Sequence, residues 1–434
     1  MNTLKESAAG LFDLIFPSLL GGTSASKPQP KSSEPNAARH VAVLAVAISG
    51  SLGDTAMQTA VGQTLKAAGI GKMTLLVHDE KERAQFERIG YRVINVGGLF
   101  KPVIPMSVIR SLRQVFEECT DLIVIGADVL DGKYSPSKSL RRFQLAGAAR
   151  RHGLRAGVVN FSFSDKAVPA LCDKLRKLDF LDDITLVSRE PVSAGRISKV
   201  LGREVPASAD LAFLLSPTPA TEEPVAGIAA KVEAWRAEGR KIIAFNINAT
   251  RLRKTPDADL ARSLGTALDR LCTEIPAAVV FVPHDYRKGS NDEALAKMIA
   301  AEMTSQAYYM PDRHYISSDA KAICKMADLT VTGRMHCGIA SLGSGTPALF
   351  WDYQGKVEGL LNLAGTPGQT FTEDDMIDPD RMVARIAEAL EHAPANRAAI
   401  AERLPGIKAM SRSNLNFILA PDSAGTPVAA EAAI

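Results

Sequence analysis

Nothing in this 434-residue sequence gathers charge of one sign. Lys and Arg number 51 against 48 Asp and Glu, a net charge of +3, and no basic run carries interleaved aromatics, so the electrostatic footprint of a nucleic-acid binder is missing. Cysteine is scarce too. Cys119, Cys172, Cys272, Cys324 and Cys337 are odd in number, scattered and without C-x-x-C spacing, which argues against a disulfide framework or a structural zinc site and reads as reduced thiols of the cytosol. No G-x-G-x-x-G follows the first apolar run and no G-x-x-x-x-G-K-[ST] occurs anywhere, against a dinucleotide oxidoreductase or a P-loop enzyme. The N-terminal apolar patch, Leu11, Phe12, Leu14, Ile15 and Phe16, is interrupted by Asp13 and closed by Pro17. It is too short to span a bilayer or form a signal-peptide core. Residues 1–39 are expected to be a disordered tail, residues 21–38 having linker composition. The functional alternative is a weak foothold of residues 1–20 on a membrane surface.

What is present is alternation. A chain of this length is expected to form two domains, and from His40 onward short β-branched runs alternate with helical periodicity, the signature of parallel βαβ units. Strands are expected at 41–48, 73–77, 92–96, 122–125, 156–160 and 184–187, then at 241–246, 278–282, 306–310, 329–332 and 348–351. Helices are expected at 54–68, 80–89, 108–118, 137–152, 168–178 and 192–201, then at 257–274, 291–303, 320–326, 336–343 and 356–361, with a helical tail at 379–404. The proline-rich stretch from Ser216 to Pro224 breaks the pattern. The expected organisation is therefore a Rossmann-like domain over 40–215, a linker over 216–227, a second Rossmann-like domain over 228–420 and a disordered end over 421–434. Two doubly wound α/β domains form a glycosyltransferase-B-like architecture, whose active site is expected in a cleft at the carboxyl ends of the strands.

Polar residues at strand-to-helix junctions therefore carry the chemistry. The first junction, Ser49-Gly50-Ser51-Leu52-Gly53-Asp54, turns on two glycines, and Asp54 either caps the next helix or accepts a proton from a substrate hydroxyl. Asp128, after the fourth strand, is either a sugar contact or a turn residue. Arg189, at a strand tip, offers a guanidinium fork to carboxylate or phosphate, or forms a surface ion pair. His284-Asp285 ends a strand of the second half as polar site residues or as a structural loop; no metal-ligand arrangement stands out. In Thr332-Gly333-Arg334-Met335-His336 a buried strand runs into a glycine turn, and Arg334 and His336 open a helix whose positive end attracts anions.

These motifs, together with Asp210-Leu211-Ala212-Phe213, Gly345-Thr346-Pro347 and Lys356-Val357-Glu358-Gly359-Leu360, resemble the polysaccharide pyruvyl transferase family in the same order over Val41 to Ala364. The resemblance implies transfer of a pyruvyl group from phosphoenolpyruvate to two hydroxyls of one sugar, with no cofactor, giving a cyclic ketal and free phosphate. It associates Arg189, Arg334 and His336 with the donor. The chain departs from the family at Ser49-Gly50-Ser51 and Gly126-Ala127-Asp128, which bears on the acceptor sugar. His336 is expected to protonate the methylene carbon, Asp54 or His284 to take a hydroxyl proton, and Arg189, Arg334, Asp128, Asp285 and Lys356 to bind substrate. The resemblance implies a polysaccharide sugar as acceptor, lipid-linked in one reading, and the expected setting is cytoplasmic, peripheral at the inner membrane face in that same reading. The alternatives are a nucleotide-sugar glycosyltransferase on the same fold and a non-catalytic carbohydrate-binding protein.

Overall fold

The computed structural model describes residues 13–21, 36–248, 255–352 and 357–419. They form two compact units. The first takes the residues up to Ser49, Val61–Leu211 and those from Met410 onward; the second takes Gly50–Ala60 and Ala212–Ala409.

The first unit is built on a six-stranded sheet of order β3-β2-β1-β4-β5-β6: β1 (His40–Leu44), β2 (Lys72–Val77), β3 (Tyr91–Asn95), β4 (Asp121–Ala127), β5 (Arg155–Phe161) and β6 (Thr185–Ser188). Every pairing is parallel. The strands read as near-continuous apolar runs because helices cover both faces of a parallel sheet: β4 is buried at all seven positions. The helices are α1 (residues 13–20), the second half of α2 (Leu52–Ala67), α3 (Arg83–Ile89), α4 (Met106–Glu118), α5 (Pro136–Arg151), α6 (Pro169–Leu175) and α7 (Pro191–Leu201). In α4 the buried residues Val108, Ile109, Leu112, Val115 and Phe116 recur at helical spacing and face the core.

The second unit repeats the plan in the order β12-β11-β10-β7-β8-β9. Its strands are β7 (Lys241–Asn246), β8 (Ala277–Phe281), β9 (Tyr308–Tyr309), β10 (Leu329–Thr332), β11 (Ala348–Trp351) and β12 (Thr370–Phe371). Its helices are α8 (Val225–Ala237), α9 (Asp257–Glu274), α10 (Asp292–Glu302), α11 (Ser317–Met326), α12 (Met335–Leu342), α13 (Glu358–Ala364), α14 (Glu373–Met376) and α15 (Pro379–Ser413); α16 (Asn416–Leu419) belongs to the first unit.

Three segments differ from the sequence-based expectation. Residues 13–20 are not a loose tail: Phe16 and Leu20 are fully buried in the first unit's core, and the Asp13 carboxylate meets the Arg141 guanidinium at 2.8 Å. The stretch read as a linker, 216–227, lies within the second unit. Thr218 bonds to Asp319 and to the Ser318 carbonyl, and α8 already begins at Val225. Residues 50–60, which open α2, count with the second unit although the strand before them counts with the first. Among the described residues no helix is long and apolar enough to cross a membrane.

Candidate active site

The strand-tip segment Thr332-Gly333-Arg334 sets the site. The Thr332 hydroxyl donates to Asn246 Oδ1 and accepts from the Arg334 amide, which folds the chain back at the end of β10. Gly333 suits the close approach there, since a Cβ would stand 3.0 Å from the Asn248 amide nitrogen and 3.2 Å from the Trp351 ring. Arg334 is then the N-cap residue of α12, with extended backbone and no capping side-chain bond. Its side chain turns into an acidic pocket. Nε and Nη2 donate to Asp292, Nη2 also to the Ser290 carbonyl and hydroxyl, and Nη1 lies 3.3 Å from Asp285.

Both carboxylates are 2% exposed. Asp292 accepts further from Asn246 Nδ2 and the His284 amide, so it ties together the tips of β7, β8 and β10. Burial raises the Asp292 carboxyl above its ordinary value, with Arg334 opposing. Burial also pushes Asp285 upward, yet its bonds from Arg287 and the charge of Arg334 hold it below the usual range. Asp285 is mainly the partner of Arg287, which donates to it through its backbone amide, Nε and Nη2. Arg334, expected to bind substrate, sits partly buried against two buried carboxylates, with Nη1 its least engaged nitrogen.

The first junction belongs to the same site. Leu52 donates its amide to the His284 carbonyl, Tyr286 donates to the Gly50 carbonyl, and Ser51 bridges antiparallel to Asp285. Gly50 has φ +105°, and a Cβ there would touch the Arg287 side chain at 3.0 Å. At Gly53 a Cβ would lie 2.4 Å from His336 Nδ1 and 2.6 Å from its ring carbon Cγ. The imidazole is thus pressed on the bare first turn of α2, and two helix starts, α2 and α12, meet at His336. Ser51, rather than Asp54, caps α2: its hydroxyl accepts from the Asp54 amide and its carbonyl from the Thr55 amide. The Asp54 side chain is left to face Arg287 at 3.6 Å. His284 is buried, with its ring against the Cys337 thiol; that thiol is pushed well above its ordinary value by Cys324 and by burial, His284 acting the other way.

The first unit holds the other expected residues. Arg189 follows β6; its Nη1 meets Asp210 at 3.1 Å and its Nε donates to Ser162. With 9% and 6% side-chain exposure, this is a buried pair and not a surface one. Ser188 and Ser193 fix the turn around it, Ser193 donating its amide to the Glu190 carboxylate that caps α7. Asp128 is exposed and accepts from the Tyr134 hydroxyl. Lys356 lies outside the described residues. Sequence reasoning missed Arg287, Ser290, Asp292 and Asn246. The available signal was the density of polar residues in His284-Asp285-Tyr286-Arg287-Lys288-Gly289-Ser290-Asn291-Asp292 behind one apolar strand. Asp292 reads there as an ordinary first-turn acid, although Asn291 already supplies the cap of α10. Among the described residues no three His, Cys, Asp or Glu side chains are grouped to hold a metal ion.

Known proteins were compared with this arrangement. A family model described as polysaccharide pyruvyl transferase matches residues 52–355, more than half of the chain. No curated protein matches the sequence. Among solved structures the chain is similar to the UDP-GlcNAc 2-epimerase from Neisseria meningitidis bound to UDP-GlcNAc, 11% identical with a TM-score of 0.57 over 87% of this chain and 99% of that one. It is also similar to S. aureus MnaA with UDP, 13% identical, TM-score 0.53, over 88% and 98%. A glycosyltransferase from Rickettsia africae is 11% identical with a TM-score of 0.51 over 87% and 97%. At such identities the likeness is one of fold, the glycosyltransferase-B-like arrangement of two α/β sheets.

Proposed function

The chain belongs to the polysaccharide pyruvyl transferase family, and from that premise we propose that it transfers the pyruvyl group of phosphoenolpyruvate to two hydroxyls of one sugar in a polysaccharide or a lipid-linked glycan. The observation that carries this reading is the meeting of two helix starts at His336, with Gly53 stripped of a side chain to admit the ring. The first turn of a helix presents N–H groups without intrahelical acceptors and the positive end of the dipole. A small donor bearing a carboxylate and a phosphate suits that position, with Arg334 Nη1 beside it. The carboxylate or phosphate would displace Asp285 from Nη1, and Asp285 would keep its three bonds to Arg287. Arg189 is the second donor-binding arginine in this reading, exchanging Asp210 for a donor oxygen.

In the reaction so proposed, His336 delivers a proton to the methylene carbon of the donor and the adjacent carbon becomes cationic. A sugar hydroxyl adds to that carbon and gives its proton to Asp54, which is half-buried and faces Arg287. The second hydroxyl of the sugar then displaces phosphate, its proton leaving with the phosphate, and the ketal ring closes. His284 is the less accessible of the two bases, since its ring is enclosed. Asp128 and Asp285 complete the substrate contacts, and Lys356 is a further one. No cofactor enters. The five cysteines are buried thiols, which supports a reducing, cytoplasmic setting.

The rival is a nucleotide-sugar glycosyltransferase, which the UDP-bound structural neighbours favour. Thermal unfolding separates the two: phosphoenolpyruvate at a hundred times its dissociation constant should add about 2.7 kcal/mol, and UDP- or GDP-sugars should add nothing. His336→Ala should keep that stabilisation and abolish turnover. Stabilisation by a nucleotide sugar alone, or near-normal turnover of His336→Ala with phosphoenolpyruvate, would overturn the reading.

A further inference from the structure

We infer that the face of the first unit around α1, the start of α4 and the 99–103 loop docks on an anionic lipid bilayer. The argument begins at a buried guanidinium. Arg141, on α5, is 1% exposed, and its Nε holds the Asp13 carboxylate while its terminal nitrogens donate to the carbonyls of Leu99, Lys101 and Pro102. One side chain therefore fixes the beginning of α1 and the loop after β3 side by side. Ser137 and Gln144 hold Asp13 as well, through its side chain and its carbonyl. The far end of α1 is fastened to α4, where Arg113 donates twice to the Leu19 carbonyl at 3.0 and 2.7 Å.

With α1 clamped at both ends, its two faces have different work. Asp13, Phe16 and Leu20 point inward and are buried, which is helical spacing. The residues beside them point out: Leu14 is 77% exposed and Ile15 40%. Next to the carbonyls that Arg141 gathers stand Val103, 54% exposed, and Met106, 55% exposed at the start of α4. Apolar side chains so exposed and brought together by buried polar ties are a mark of an interaction surface. Lys101 and Arg110 are exposed on the loop and on α4, and Lys138 is exposed in the first turn of α5, the helix that carries Arg141. Cations around an apolar centre are the pattern that an anionic headgroup layer recognises. A second copy of the chain fits less well, because a two-fold contact would set these cations against their own equivalents.

This inference goes beyond the proposed reaction and does not depend on it, since the readout is adsorption and not turnover. The full-length chain is sedimented with vesicles of equal parts phosphatidylcholine and phosphatidylglycerol, and with phosphatidylcholine alone, at low and high salt. Binding is expected to the anionic vesicles and to weaken with salt. Leu14→Ser/Val103→Ser/Met106→Ser should weaken it by about tenfold, and Lys101→Glu/Lys138→Glu by about as much, with thermal midpoints unchanged because all five positions are exposed. Equal binding to neutral vesicles, no binding to anionic ones, or indifference to both sets of substitutions overturns the inference. So does self-association in their absence that the same substitutions abolish.

Discussion

Asp292 accepts from four donors, two on Arg334, one on Asn246 and the His284 amide, while almost none of it is in contact with water. A carboxylate in that position keeps the guanidinium still, and truncating one member of such a pair leaves a buried charge without its partner. Asp292→Asn, close in volume, should therefore cost about 3 kcal/mol of stability. Adding Arg334→Gln to it should cost far less than the sum of the two single changes, because the second removes the charge that the first had stranded. Urea unfolding of the four proteins measures the coupling. Additive effects would show that the pair, whatever its geometry, does not act as a unit. The same residue shows the reach of sequence reading at this scale. Arg334 and His336 are visible because they follow a buried strand, whereas the role of Asp292 depends on three strand tips that are far apart in the chain, and locally it shows only as one acid in a polar-rich stretch.

The glycine turn between β1 and α2 offers the test at the scale of the element. In the sequence, two glycines and an Asp before a helix look like turn chemistry and a cap; in the structure Gly50 does make the turn, with φ +105°, while the cap is Ser51 and Gly53 is steric. Gly53→Ala would put a methyl group 2.4 Å from the His336 ring, so the imidazole or the helix must move. Overpacking of this kind costs about 1–3 kcal/mol, and turnover should fall with it because His336 shifts. Gly195, in the interior of α7, has no heavy atom within 4 Å of its Cβ position, and Gly195→Ala should be neutral or add about 0.5–1 kcal/mol. Circular dichroism melts and a phosphate-release assay on both variants make the comparison, and equal behaviour of the two would remove the steric role of Gly53. Most elements were legible because buried parallel strands and amphipathic helices carry their own periodicities; β7, β10, β11 and α9 fall at the expected residues. The omissions have causes. Val225–Ala237 lacks a clear apolar stripe and follows a run of prolines, so α8 was not expected. The two-residue β12 is too short to show a period.

At the scale of the molecule, neither unit is a continuous stretch of chain, and no local pattern announces this. The tail looked helical in the sequence; what could not be read is that residues from Met410 onward complete the first unit. Asn414 is fully buried, accepting from the Asn160 amide and donating to Ser208 Oγ and the Ala209 carbonyl. Ser411 donates to the carbonyl of Asp210, the residue whose carboxylate pairs with Arg189. The Phe417 ring fills the space beside Gly157, where a Cβ would stand 2.6 Å away, and its neighbours Leu415 and Ile418 are fully buried. Truncation after Ala409 therefore leaves buried polar groups of β5 and the 208–210 segment without partners, each costing about 1–3 kcal/mol, and opens apolar surface along the same strand. Scanning calorimetry of the truncated chain should show the first unit melting well below the second, where the intact chain melts later. Because Asp210 loses its anchor in the same event, stabilisation by phosphoenolpyruvate should weaken before the first unit unfolds. A truncated chain with an unchanged melt and an unchanged response to phosphoenolpyruvate would mean that the tail merely rests on the fold and that the Arg189 pair holds its geometry alone.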